Sequence, residues 1–132
     1  MPNEILNSID SEISKPGFFD FFARLDFDGL LGKRDAASFD DHWMQAFNEV
    51  DRLTLVADDK KFLDSIREKA FKLSFRVSGN SDIAGRVSDD VELIAKSMLA
   101  GKPDSWPVRV LWSSYKMGTF PLNEDDGDVE CG

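Results

Sequence analysis

Apolar residues in this chain recur at the spacing of an α-helix and almost nowhere at the spacing of a strand, which restricts the fold more than any motif does. The clearest stripe is Phe39, Trp43, Ala46, Phe47, Val50 and Leu53. Ser38 stands where an N-cap belongs, and Asp40 and Asp41 fall in the first turn, where the helix dipole favours negative charge. Ile5, Leu6, Ile9 and Ile13 make another stripe, ended by Pro16-Gly17. Phe18, Phe19, Phe22 and Leu25 begin a third, which trails through Phe27 to Leu30 and Leu31 before Gly32. A fourth helix is expected over about 60–77, with Phe62, Leu63, Ile66, Ala70, Leu73 and Val77 on its main face. Phe71 and Phe75 give it a second apolar face, which predicts a central place in the domain.

Ser78-Gly79-Asn80 suits a left-handed helix end. Ser88 is expected to cap a fifth helix, opened by Asp89 and Asp90 and carrying Val91, Ile94, Ala95 and Met98 toward Gly101. Pro107 fits the first position of a short last helix that buries Val108, Leu111, Trp112 and Tyr115 and stops at Gly118. Only Leu73–Val77 and Val108–Trp112 leave room for a strand. The expectation is all-α: a compact bundle of five or six short helices in a single domain over residues 1–122, followed by a disordered, acidic tail over 123–132.

A chain of 132 residues, 42% hydrophobic and 31% charged, can bury a core without covalent staples. Its eleven phenylalanines are spread from Phe18 to Phe120 and read as core material. The single cysteine, Cys131, allows no internal disulfide and suits a reducing compartment. The opening MPNEILNSIDSE has acids where a signal peptide needs positive charge and an apolar stretch. No apolar run approaches the roughly 18 residues that span a bilayer. A cytoplasmic protein without a membrane segment is expected.

The net charge of −9 is unevenly placed. Residues 1–66 hold 14 acids against 7 bases, residues 67–122 hold 6 against 9, and residues 123–132 hold five acids and no base. An acidic protein works against phosphate repulsion, so nucleic acid is disfavoured as a partner and a basic protein surface is favoured.

Catalytic signatures are missing: there is no GxGxxG, P-loop, GxSxG or CxxC. A nucleophile–histidine pair has only His42 to use, and His42 reads as a partly exposed helix residue beside Asp41. A metal site wants a second histidine or cysteine, which the body of the chain lacks. Asp26-Phe27-Asp28-Gly29 and Asp125-Asp126-Gly127-Asp128 lack the remainder of a calcium loop and read as solvated turns. No catalytic residue, metal ligand or cofactor is assigned. What remains is a surface. Asp26, Asp28, Asp40, Asp41, Asp58 and Asp59 belong to an acid-rich stretch that is expected to face a partner, in part or as a set. Asp89 and Asp90 read first as dipole partners of the fifth helix and second as part of that surface. Trp106 is the candidate aromatic anchor, against the alternative of a core position.

Taken together, this length, acidity, helicity and aromatic content, without catalytic motifs, resemble the small immunity proteins encoded beside bacterial polymorphic and contact-dependent toxins. The stretch SDDVELIAKSMLAGKPDSWPVRVLWSSYKMGTFP, Ser88 to Pro121, is similar in style to helical segments of such proteins. The resemblance is general and transfers no individual residue. It implies a protein that binds one cognate toxin and either plugs its active site or blocks it from a neighbouring surface. A helical adaptor or regulatory subunit, such as a phage-encoded one docking on a cellular complex, is the alternative; a carboxylate-only enzyme comes third. Gene neighbourhood separates them, since immunity calls for a toxin gene immediately upstream.

Residues 123–132 offer only Val129 and Cys131 to dock the tail. A chain ending at residue 122 should therefore melt within a few degrees of the full chain, checked by circular dichroism; a larger fall means that the tail is part of the fold.

Overall fold

The stripes become helices over residues 2–24, 27–34 and 37–121, the residues that this computed structural model describes. In chain order they are α1 (Pro2–Ile13), a 3-10 turn (Asp20–Arg24), α2 (Phe27–Arg34), α3 (Ala37–Val50), α4 (Ala57–Ser78), α5 (Ser81–Leu99), a π-helical turn (Pro107–Trp112) and α6 (Ser113–Lys116). Among the described residues there is no strand; both segments where one fitted are helical, Leu73–Val77 within α4 and Val108–Trp112 in the π-helical turn. The expectation for the tail, like Leu25, Asp26 and Asp35, lies outside the described residues.

Four boundaries differ from the sequence reading. The phenylalanine-rich segment is divided between the 3-10 turn and α2, and α2 continues past Gly32 to Arg34. α3 begins at Ala37, so Ser38 lies inside it and does not flank it. α4 starts at Ala57 and ends as expected, at Gly79 in the left-handed region (φ 65°), whose N–H donates to the carbonyl of Phe75 at 2.7 Å. The largest difference is α5, which starts at Ser81. Asn80, not Ser88, is its cap: Asn80 Oδ1 accepts from the amides of Asp82 (2.9 Å) and Ile83 (3.1 Å), satisfying two of the donors that a helix start leaves open. Ser88 is buried within the helix.

The central helix is α5 rather than α4. It packs against α4 along their shared length and also against α1, α2, α3 and the π-helical turn. Its small and aliphatic residues allow this: Ile83, Ala84, Val87, Val91, Leu93, Ile94 and Ala95 are all buried. α4 buries only one face, through Leu63, Ile66, Ala70 and Ser74. Its second aromatic pair sits at the surface, Phe71 half-buried and Phe75 43% exposed, with their rings stacked 6.2 Å apart. Ion pairs fix the α4–α5 register, Arg67 reaching Asp89 at 3.0 Å and Glu92 at 3.2 Å. Lys69 ties α4 to α1 through Asp10 at 2.6 Å.

An aromatic cluster joins the early and late parts of the chain. Phe19 meets Tyr115 at 6.4 Å, Phe22 meets Phe120 at 5.5 Å, and Phe18 meets Trp112 at 6.2 Å. Phe22 is fully buried, whereas Phe47 is only half-buried against Trp43. Phe22→Ala should therefore cost about 3–5 kcal/mol in urea unfolding and Phe47→Ala clearly less; equal costs would contradict this packing.

Candidate functional site

A carboxylate with no exposure to solvent lies at the middle of the protein. Asp90 projects from α5 and is 0% exposed, and Arg34, from the last turn of α2, is 4% exposed. A buried charge of this kind is tolerated only when paired and fully hydrogen-bonded. The pairing is met, and the Asp90 carboxylate is fully hydrogen-bonded, while the buried Arg34 Nε–H has no partner among the described residues. Arg34 Nη2 donates to Asp90 Oδ1 at 2.7 Å and Nη1 to Oδ2 at 3.0 Å, the bidentate geometry that suits a guanidinium. Trp43 of α3 adds its indole N–H to Oδ1 at 2.9 Å, and Tyr115 of α6 adds its hydroxyl to Oδ2 at 2.6 Å. Each carboxylate oxygen thus accepts two hydrogen bonds, and four helices converge on one side chain. The Arg34 guanidinium also lies over two rings, 4.6 Å from the centroid of Phe39 and 4.8 Å from that of Phe120.

The electrostatics follow from this geometry. Burial works against the charge on Arg34, but Asp90, and then Tyr115, more than restore it, so its pKa lies above the ordinary value. Burial pushes the Tyr115 hydroxyl well above the usual tyrosine range, and the negative charge of Asp90 adds to the effect.

One side of this network opens to solvent through a cavity of about 170 Å³ between α3 and α5. Phe39, Asp40, Trp43 and Met44 line it from α3 and Arg86, Asp89 and Asp90 from α5, with Arg34 inside. A more open depression of about 320 Å³ continues from it, sharing Arg86 and Asp89 and extending to Leu31, Ser81, Asp82 and Gly85. Asp40 and Met44 stand exposed at the mouth, Met44 by 42%. Asp89 is exposed too, and its carboxyl is raised above the usual range, first by burial of part of the group and further by Asp90 and Glu92, while Arg67 opposes the shift. Neither arginine is free: Arg34 is bound to Asp90, and Arg86 has a partner of its own.

The residues singled out by sequence fall in different places. Asp40 and Asp89 share the cavity, and Asp41 is exposed beside Asp40 on α3. Asp58 is exposed and Asp59 half-exposed at the start of α4. Asp58 precedes Arg67, the residue opposite Asp89, by about 13 Å at roughly 1.5 Å per residue, so it belongs to another part of the surface. Asp28 lies in α2, and Asp26 outside the described residues. Trp106 is half-buried, edge-on to Phe39 at 5.3 Å and stacked on His42 at 5.6 Å. Asp90 is not at the surface at all. Its signal in the sequence was Val87, Asp90, Val91 and Ile94, a carboxylate at helical spacing on an apolar face. Arg34, Met44 and Arg86 carried no such signal.

Among the described residues, no group of His, Cys, Asp and Glu could hold a metal ion, and no helix is long and apolar enough to cross a membrane. A family model described as Immunity protein PIM1 matches residues 8–122, which is most of the chain. The chain belongs to that family of immunity proteins. No curated protein matches it.

Two outcomes test this site. Asp90→Asn strands the buried Arg34 charge and should cost about 3–5 kcal/mol, and the replacement Arg34→Met with Asp90→Leu recovers most of that loss only when Tyr115→Phe and Trp43→Phe remove the donors that it orphans. The buried Tyr115 hydroxyl, whose pKa is raised in the fold, gives stability that is full below the unfolded tyrosine value near 10 and is lost as pH rises beyond it. Urea titrations from pH 8 to 11 should show this decline in the native sequence and a shallower one in Tyr115→Phe.

Proposed function

We propose that the protein binds one cognate toxin and neutralises it through the acidic surface built by α3 and the exposed face of α5. Membership of an immunity protein family supports an immunity role in general. One observation supports this surface: Asp40, exposed and without an ion pair among the described residues, shares a cavity with Asp89, and Asp41 is exposed beside it, also without an ion pair. Carboxylates without internal partners are left to act on what approaches from outside. Asp26, Asp28, Asp58, Asp59 and Trp106 extend the same proposal on sequence grounds; Asp90 is withdrawn from it, being internal.

The chemistry is inhibition by occupation. A toxin that cleaves nucleic acid carries a basic cleft, and an acidic protein is steered toward it and associates quickly. The inhibitor then needs complementarity and rigidity, and no catalytic step of its own. The partner is a protein with a basic surface, and no nucleic acid, cofactor or membrane takes part. The setting is the cytoplasm of the bacterium that makes the toxin.

The test pairs the chain with the product of the gene immediately upstream, where this reading expects a toxin domain. Wild type should bind it and protect cells that express it. Reversing Asp40 and Asp41 to Lys should slow association and flatten its dependence on salt. Asp40 lies in the first turn of α3, so the melting temperature of each variant is measured beside its binding. Unchanged association and unchanged protection would rule out the acidic surface, and absence of binding by wild type would rule out neutralisation of that toxin.

A further inference from the structure

We infer that the cavity between α3 and α5 is a socket for a single arginine side chain of the toxin; this rests on the neutralisation reading. The size is the first indication. Ligand pockets for cofactors and other small molecules run on the order of 300–1,000 Å³. The space beside the Asp90 network is about 170 Å³, below that range and enough for one long side chain, and the depression of about 320 Å³ that continues from it is more open. Its walls are the second. Phe39 is buried and already holds Arg34, so the surfaces left to an incoming guanidinium on the α3 side are the half-buried ring of Trp43 and the exposed thioether of Met44. Carboxylates supply the third: Asp40 stands at the mouth without an ion pair among the described residues, and Asp89, which Arg67 of α4 binds at 3.0 Å, lines the cavity from α5.

The protein's own cations do not occupy this role. Arg34 is bound inside by both oxygens of Asp90, and Arg86 has its own partner. Among the described residues Asp89 is answered by Arg67 alone while Asp90 and Glu92 crowd it, so a further cation nearby relieves an existing repulsion. Arginine suits better than lysine, because a planar fork can stack on the rings and donate to a carboxylate at once.

The socket differs from general charge steering in what it controls. Steering charges set the association rate, whereas a desolvated cation in a pocket sets the dissociation rate. Two variants address the cavity: Asp40→Asn removes the carboxylate at its mouth, and Met44→Phe fills it without changing charge. Each should raise the dissociation rate of the complex with the toxin at least tenfold, with the melting temperature of the free protein unmoved in Met44→Phe and lowered by no more than a helix-start charge accounts for in Asp40→Asn. A double-mutant cycle then crosses Asp40→Asn with each arginine-to-alanine change on the toxin surface. One arginine should lose its contribution in the Asp40→Asn background. If wild type binds and protects while Met44→Phe dissociates at the native rate and no arginine couples to Asp40, the socket is wrong and neutralisation stands. If wild type does not bind the toxin, both readings fall together.

Discussion

The Asp90 carboxylate, buried without a solvent contact and answered by four donors, is the constraint on which the arrangement of the helices depends. Its donors come from α2, α3 and α6, and Asp90 itself from the central α5. Apolar packing alone tolerates small rotations of helices, because one methyl group replaces another at little cost. A bidentate guanidinium with an indole and a phenol on the same carboxylate does not, since any shift leaves a buried donor or charge unanswered. The network therefore selects one arrangement of helices that packing would leave less well defined.

That selection reaches the surface directly. Trp43, which donates to Asp90, lies in the same helix as Asp40, Asp41 and Met44, and Asp89 is the residue next to Asp90. The groups proposed to meet the toxin are thus held within a residue or a helical turn of the buried network. Rigid placement of this kind lowers the entropy lost on binding, which is where a preformed inhibitor gains affinity. Fold and proposed function meet at this point: the side chain that fixes four helices also fixes the face they present.

Much of the fold could be read from spacing, because α3, α4 and α5 bury apolar residues at helical intervals, and Pro107 and Gly79 stand at a helix start and a helix end. The start of α5 was misplaced because Ser88-Asp89-Asp90 has the composition of a helix opening, while the true cap, Asn80, sits in a turn already assigned to the end of α4. The same misreading put Asp90 at the surface. Nothing local marks Arg34 as internal; its burial comes from a partner 56 residues away, and such pairings are set by the tertiary fold. The centrality of α4 was overestimated for a related reason. Phe71 and Phe75 are apolar enough for a core, but α5, with its small side chains, admits close neighbours on more sides. Of the candidate site, Asp40 and Asp89 were legible as acids, and their sharing of a cavity with Met44 was not.

Hydrogen–deuterium exchange of the protein alone and in complex with the upstream toxin domain tests the account at its centre. If the face built by α3 and α5 meets the toxin, added protection should concentrate in the first two turns of α3 and in α5 from Ser81 to Asp89. Protection confined instead to the side of α4 that carries Phe71, Lys72, Phe75 and Arg76, with α3 unchanged, would show that the toxin is held by the opposite chemistry, an aromatic and basic surface, and would contradict it.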